Sequence, residues 1–156
     1  AVDADTHEVI CADLSLNNVT DAEAFPALIR QTHRKIRVAS ADGAYDTKRC
    51  HDELRRKKIK ALIPPRTRAS YWPVEYVDRN QAVARQRLTG SNAYWKWNTA
   101  YNRRSVAETA MYRVKQLFGG HLTLRDYDAQ VGEAMAMIRA LNKMTRAGMP
   151  ESVRII

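Results

Sequence analysis

Short strand-type patterns open the chain, and a helical pattern follows them. Residues 1–4 and 8–16 carry apolar, partly β-branched residues on either side of the turn-forming segment DADTH, which predicts a β-hairpin. Thr20, with Glu23 three positions later, matches a capping box, so we expect a helix from there to about residue 33. The positions of that helix expected to face the core are Phe25, Leu28 and Ile29.

Strands and helices alternate in the next part of the chain. The small and β-branched residues of 36–41 predict a buried strand, and 60–64 predict a second. Between them, Asp46 or Thr47 is expected to cap a helix over residues 48–58. Such alternation is typical of a sheet with a partly parallel core, so the predicted fold class is α/β.

The second half of the chain is predicted to be mainly helical. Residues 64–100 are less regular and include a basic helix at 78–88. A long helix is expected over residues 105–118, ended by a glycine pair that begins at Gly119, and a last amphipathic helix over 126–146. The predicted apolar stripes of these two helices are Ala107, Met111, Val114 and Phe118, and Val131, Met135, Ile138 and Leu141.

Length and composition indicate an ordinary globular protein. With 156 residues, 45% of them hydrophobic, the chain is expected to form one domain over residues 1–150, followed by a frayed tail at 151–156. No apolar run approaches the ~18 residues of a membrane span, and no signal peptide is recognisable. Cys11 and Cys50 form no Cys-x-x-Cys pair, which argues against a zinc site or disulfide framework and favours a reducing, cytoplasmic setting.

The charge balance points to an anionic partner. The formal net charge is +9, and such an excess favours binding to a nucleic acid or an acidic surface. The chain has no sustained basic amphipathic helix with a clean apolar face, so a nucleic acid is the better prediction. The alternative is a solvated basic surface without a specific partner.

Asp42 is the first candidate for chemistry. It stands at the carboxyl end of a predicted strand, where α/β proteins place ligands, and Gly43 after it lets the chain turn sharply. The alternative interpretation is a carboxylate that only caps a turn or a helix.

Glu108 is the second candidate, because it is a lone acid in the basic segment YNRRSVAETAMYRVK. On the predicted helix, Arg104 lies four residues before it and Lys115 seven residues after it, which places the three along one side. A simple Arg104–Glu108 ion pair, worth only a few tenths of a kcal/mol, is the alternative. That pair does not explain why Tyr101 and Lys115 extend the stripe.

The same segment resembles a known family. Tyr101, Arg104, Glu108 and Lys115 match, in identity and spacing, the Y-(2)-R-(3)-E-(6)-K pattern of bacterial insertion-sequence transposases of the DDE superfamily, insertion-sequence four and five group. The segment ADGAYDT around Asp42 resembles the region that holds that family's second catalytic Asp. Further similar segments, which extend the resemblance over essentially the whole chain, are IPPR, YNRRS, ETAMYRVKQLFGG and LRDYDAQVGEA.

The resemblance implies an RNase H-like catalytic domain in which Asp42 and Glu108 are the second and third acidic residues of a two-metal site. Two Mg²⁺ or Mn²⁺ ions about 3.5–4 Å apart would stabilise the attacking and leaving oxygens during DNA cleavage and strand transfer. Oxygen ligands suit these hard cations. Arg104 and Lys115 would position phosphates, and Tyr101 would pack or hydrogen-bond at the site.

Two tryptophans are further DNA-binding candidates. Trp95 and Trp97 offer stacking faces for an unpaired base near a cut end. Ordinary packing is the alternative for each of them, and for either one alone it is the preferred interpretation.

The sequence departs from the family pattern at the first catalytic Asp. That residue belongs to the opening strand of the fold, in a stretch similar to DSTGLK, and no such stretch is present. Asp3, Asp5 and Asp13 do not fit that position and are not assigned to it. We therefore expect an N-terminally truncated catalytic domain without its first strand and without the DNA-binding region before it. We expect it to have weak or no activity.

The expected partners follow from the resemblance. They are double-stranded DNA, as transposon ends and target, with no membrane and a nucleoid-associated location in the cytoplasm; a homodimer is left open. The alternative function is a non-catalytic DNA-binding remnant that interacts with DNA or with a full-length transposase.

Overall fold

A computed structural model describes residues 1–148, and these residues fall into two compact units. One unit is Ser15–Ser105, and the other combines Ala1–Leu14 with the described residues from Val106 onward. The predicted tail at 151–156 lies outside the described residues. A single domain over residues 1–150 stays a prediction.

The Ser15–Ser105 unit is built around a small parallel sheet. Strand β1 (Val38–Ser40) pairs with β2 (Lys60–Leu62), with Ala39 opposite Ala61, and helix α2 (Lys48–Arg56) connects them. The predicted strand–helix–strand order and its parallel pairing are confirmed, although both strands are shorter than predicted. The mixture of helices and a parallel strand pair is compatible with the α/β class. An RNase H-like topology stays a prediction.

Helix α1 (Asp21–Arg30) begins at the predicted capping box. The Glu23 carboxylate accepts hydrogen bonds from the N–H and the hydroxyl of Thr20, at 2.8 and 2.7 Å. The helix ends before residue 33, and the Lys57 ammonium caps its carboxyl end by donating to the carbonyls of Ile29 and Thr32. A cation at that position also interacts favourably with the helix dipole.

The core of this unit lies between α1, α2 and the sheet. Of the α1 positions predicted to face it, Phe25 and Ile29 are buried and Leu28 is half-buried. Burial of each large apolar side chain contributes about 1.5–3 kcal/mol. The buried cluster comprises Phe25, Ile29, Cys50, Leu54, Ile59, Ala61 and Ile63.

Helices cover the outer edge of the strand pair. Helix α3 (Val77–Thr89) confirms the predicted basic helix, and the Asp78 carboxylate near its start accepts the Ala61 N–H at 2.9 Å. The Ala61 N–H lies on the edge of β2 that faces away from β1, and no further strand pairs with this edge in the described residues. The bond to Asp78 therefore satisfies a donor that would otherwise be open. Helix α4 (Ala93–Asn98) and a 3₁₀ turn (Ala100–Arg104) follow, and neither was predicted within the irregular stretch.

The other unit contains an N-terminal hairpin and two helices, α5 (Ser105–Phe118, whose first residue belongs to Ser15–Ser105) and α6 (Tyr127–Ala147). The predicted hairpin is reduced to one antiparallel bridge between Val2 and Val9, so the strand predicted over 8–16 is wrong in its length. On the other edge of this segment, which faces away from Val2, the Asn142 side chain of α6 pairs with both the N–H and the C=O of Val9 at 2.8 Å. An amide side chain thus occupies the edge that a further strand would use.

Both predicted long helices form, but only one stripe faces as predicted. On α6, Leu141 is fully buried and the other three predicted positions are half-buried. On α5 the buried residue is Ala110, whereas Ala107 and Met111 are exposed, so that stripe is partly wrong. Apolar residues surround much of α5, so their spacing alone does not select the inward side. Within residues 1–148, no helix combines the length and the apolar character that crossing a membrane requires.

Candidate functional site

Asp42 lies two residues after the end of β1 and caps the 3₁₀ turn Gly43–Tyr45. Its side chain is exposed, and its Oδ1 accepts the Ala44 N–H at 2.9 Å. Both interpretations of Asp42 are therefore compatible with its place, since it caps a turn and also stands at the carboxyl end of a parallel strand. Gly43 does not adopt a positive φ, and its position lies against the Pro64 carbonyl after β2, where an added Cβ would be 3.5 Å from the oxygen.

Tyr45 closes the turn that Asp42 opens. Its ring packs on Phe25, with centroids 5.2 Å apart, and its N–H donates to the Asp42 carbonyl at 3.2 Å. Burial raises the pKa of Tyr45 to about 12, and the nearby Asp21 and Asp42 carboxylates contribute to the increase. The phenol therefore stays neutral and works as a packing group at the base of the turn.

Asp46, immediately after this turn, is buried with only 5% of its surface exposed. Arg79 of α3, 4% exposed, donates to both carboxylate oxygens, from Nε at 2.7 Å and from Nη2 at 3.2 Å. The Arg66 N–H donates to Asp46 Oδ2 at 3.2 Å, and His51 Nε2 lies 3.3 Å from Oδ1 without forming a regular hydrogen bond.

The surroundings of Asp46 keep it ionised. Burial acts to raise the pKa of this carboxyl, but the neighbouring His51 imidazole, Arg79 and the Arg66 amide lower it, and the balance leaves the pKa below its ordinary value. Sequence reasoning considered Asp46 only as a helix cap; Thr47 has that role, and its hydroxyl accepts the Cys50 N–H at 3.3 Å. No spacing rule relates Asp46 to Arg79, so the pair was not found from the sequence.

Glu108 and Lys115 are exposed on α5. Seven residues apart, they lie on one side of the helix, with a rise of about 10 Å between them. Arg104 precedes α5 and lies in the 3₁₀ turn. The expectation that it shares an α-helix with Glu108 and Lys115 is therefore wrong. Asp42 belongs to the Ser15–Ser105 unit and Glu108 to the other unit. Their convergence on a shared metal site stays a prediction.

Tyr101 and Trp95 are packing residues of the Ser15–Ser105 unit. Tyr101 is 6% exposed, and its ring lies 5.5 Å from that of Trp95 in a tilted arrangement, with Leu62 and Ala82 in the same buried cluster. The Arg104 guanidinium lies 5.7 Å from the Tyr101 ring centroid, within the range of a cation–π contact. Ordinary packing therefore describes Trp95.

Trp97 differs from its neighbour Trp95 because 80% of its surface is exposed. Packing does not account for this side chain within the described residues, and its ring is accessible to a flat partner. A role for Tyr101, Arg104, Lys115 or Trp97 in DNA binding stays a prediction.

A cavity of about 360 Å³ lies in the same unit, between β2, α3 and α4. Two cationic side chains, Lys60 and Arg85, and two aromatic ones, Tyr94 and Trp95, contribute to its lining. Its volume is at the lower end of small-ligand sites, and cations combined with aromatic rings suit nucleic-acid strands. The sequence patterns did not identify Lys60, Arg85 or Tyr94.

Asp42 and Glu108 fit a hard divalent cation in donor type, because both offer carboxylate oxygens. However, residues 1–148 contain no group of three or more His, Cys, Asp or Glu side chains arranged to hold a metal ion. Two carboxylates are fewer than the resemblance implies for the complete site.

Comparison with known proteins places the chain in a family. A family model described as a transposase DDE domain matches residues 1–143. No solved structure matches the chain. The match covers most of the sequence and confirms the resemblance at the level of the family, whereas the insertion-sequence four and five grouping stays a prediction. The chain belongs to the transposase DDE domain family, whose function relates to DNA transposition and which generally depends on divalent metal ions.

Proposed function

We propose that this protein is the catalytic part of an insertion-sequence transposase with an RNase H-like fold, related to metal-dependent DNA cleavage and strand transfer. The observation that carries the proposal is the place of Asp42, exposed at the carboxyl end of a parallel strand within the family match. In parallel sheets this end is where ligands bind.

Each proposed role uses a group of suitable chemistry. Asp42 and Glu108 would hold Mg²⁺ or Mn²⁺, which supplies charge stabilisation to a phosphodiester when bound. Arg104 and Lys115 would contact phosphates, and exposed Trp97 would stack on an unpaired base. Tyr101 supports Arg104 through its buried ring. The first catalytic Asp is not assigned to a residue of this chain, and we therefore expect weak or no cleavage.

A Mn²⁺ titration tests the metal site. We expect isothermal titration calorimetry to detect Mn²⁺ binding that Asp42→Asn and Glu108→Gln each weaken strongly, because each variant replaces an anionic ligand with a neutral amide. Glu75→Gln is the matched control, since Glu75 is also an exposed carboxylate of this chain but has no assigned role. Equal binding by the wild type, Asp42→Asn and Glu108→Gln would contradict the proposed site.

DNA binding without cleavage is the second candidate function. The net charge of +9 favours it, because attraction to phosphates requires no metal ion. A labelled duplex incubated with Mn²⁺ or with a chelator separates the two candidates. Binding in both conditions with no cut strand would favour the non-catalytic function, whereas Mn²⁺-dependent strand cutting would favour the catalytic one.

A further inference from the structure

The Asp46–Arg79 pair is an unusual way to stabilise a small unit. Both side chains are almost fully withdrawn from water, and removing two charges from water opposes folding strongly. Well-packed apolar residues of similar volume often stabilise such a place as well or better. The energetic contribution of the pair therefore does not by itself explain its presence.

The geometry of the pair offers a better explanation. Arg79 Nη1 donates to the Ser70 carbonyl at 2.8 Å, while its Nε and Nη2 hold Asp46, and the Trp72 ring lies 3.6 Å from its Cζ. Asp46 in turn accepts the Arg66 N–H. The planar guanidinium thus connects the segment after β1 with the segment after β2, and its direction is fixed by three partners.

Asp46 is also directly connected to the turn that carries Asp42. Its N–H donates to the Gly43 carbonyl at 3.2 Å, the Tyr45 N–H donates to the Asp42 carbonyl, and the Ala44 N–H donates to the Asp42 side chain. Asp42 itself is exposed and has no comparable anchor among the described residues. The position of its carboxylate therefore depends on a turn whose far end is held by Asp46.

We propose that Asp46 and Arg79 are positioning residues that hold the Asp42 carboxylate in the orientation required to bind a divalent cation. This inference rests on the proposed function only for the identity of the ligand. The proposed role differs from simple stabilisation, because it predicts a local effect on the Asp42 turn and on Asp42 as a ligand.

Amide hydrogen exchange with mass spectrometry tests the positioning directly. In Asp46→Asn we expect amides of residues 42–46 to exchange about tenfold faster, because the carboxylate that anchors the turn loses its charge, while α2 stays protected. We also expect Mn²⁺ affinity to fall by roughly 10–100-fold, the usual effect of removing a partner that orients a metal ligand.

Glu53→Gln is the matched control. Glu53 is a buried carboxylate of the same unit that pairs with Arg30 and Arg56, and the change from acid to amide is the same. We expect Glu53→Gln to lower the melting temperature, but to leave both exchange at 42–46 and Mn²⁺ affinity unchanged. A role in stability alone predicts that the two variants behave alike.

A second variant covers the case in which Asp46→Asn does not fold. Arg79→Lys keeps the charge but loses the fork that reaches Asp46 and Ser70 together, and we expect the same faster exchange at 42–46. If Arg79→Lys folds and its residues 42–46 exchange at the wild-type rate, the positioning role is overturned. Unchanged Mn²⁺ affinity despite faster exchange would overturn it as well.

Failure of the proposed function gives a different result. If the wild type binds no Mn²⁺, or if Asp42→Asn does not weaken binding, the metal site is wrong. The exchange rates of residues 42–46 still decide whether Asp46 and Arg79 hold the turn.

Discussion

At the scale of single residues, two buried carboxylates make folding sensitive to acid. Burial acts to raise the pKa of Asp46, but His51 and Arg79 outweigh it. The hydrogen bond from Arg56 lowers the pKa of Glu53 despite its burial. Both pKa values are thus lower in the folded than in the unfolded chain. Their contribution to stability is fully present above the unfolded values, near 4 to 4.5, and is lost as pH falls through the folded values.

We therefore expect the melting temperature to be flat above about pH 5 and to fall steadily below about pH 4. Thermal unfolding followed by circular dichroism from neutral to acidic pH measures this. The double variant Asp46→Asn/Glu53→Gln is expected to be less stable at neutral pH. Its melting temperature is expected to fall less steeply below about pH 4, because both titrating groups are gone. An equally steep decrease of the melting temperature in the double variant would mean that other groups cause the acid sensitivity.

The residues found from sequence share one property, which is that their chemistry is local. Thr20 with Glu23 and Thr47 with α2 were predicted because a cap and its partner lie within one helical turn. Asp46 and Arg79 are 33 residues apart, and the tertiary fold brings them into contact. Trp95 and Trp97 are two residues apart on a short helix and were equivalent in sequence, but only one is buried.

At the scale of elements, the edge of β2 depends on one side chain of α3. Asp78 accepts the Ala61 N–H, and Ala61 is buried. Asp78→Leu is expected to cost about 1–3 kcal/mol in the free energy of unfolding, because the buried N–H loses its acceptor. Asp78→Asn keeps an acceptor oxygen but removes the charge near the start of α3, so we expect a smaller loss of about 0.3–1 kcal/mol. Chemical denaturation measures both, and equal losses would mean that charge, rather than the edge bond, decides.

The end of α5 offers a matched pair of adjacent glycines. Gly119 has a φ of 85°, whereas Gly120 lies outside the left-handed region, and neither would place a Cβ against another atom. Gly119→Ala is therefore expected to cost about 1–2 kcal/mol from backbone strain alone. Gly120→Ala is expected to be neutral or slightly stabilising, because alanine restricts the unfolded chain. Coinciding denaturation curves for the two variants would contradict the left-handed backbone conformation of Gly119.

Elements were predictable where one segment carries its own pattern. The parallel strand pair and helices α3, α5 and α6 were found, because turn residues and apolar periodicity mark them locally. Helix α4 was missed because six residues are too few to show a helical period. The hairpin strand was predicted too long, and the contact of its Val9 with an asparagine 133 residues later was not predicted. Contacts of this kind are tertiary and leave no local signal.

At the scale of the whole molecule, the net charge of +9 makes salt the most informative variable for DNA binding. Each phosphate neutralised by a cation releases counterions, so the logarithm of the association constant falls by roughly 0.9 for each contact per logarithmic unit of salt. We expect a steep, linear dependence with a duplex oligonucleotide. A flat dependence would exclude binding through the DNA backbone and with it both candidate functions.

Lys115 provides the specific form of this prediction. Lys115→Gln and Lys58→Gln both lower the net charge by one, and both side chains are exposed. Lys58 lies before β2, at the amino end of the strands, whereas the Asp42 turn lies at their carboxyl end.

If Lys115 contacts a phosphate, its replacement reduces the salt slope by about one contact and weakens binding to all sequences alike. Lys58→Gln is expected to leave the slope at its wild-type value, because no phosphate contact is assigned to Lys58. General charge attraction alone would instead change the slope equally in the two variants. Fluorescence anisotropy over a salt series distinguishes these results, and identical slopes for both variants would remove Lys115 from the proposed phosphate contacts.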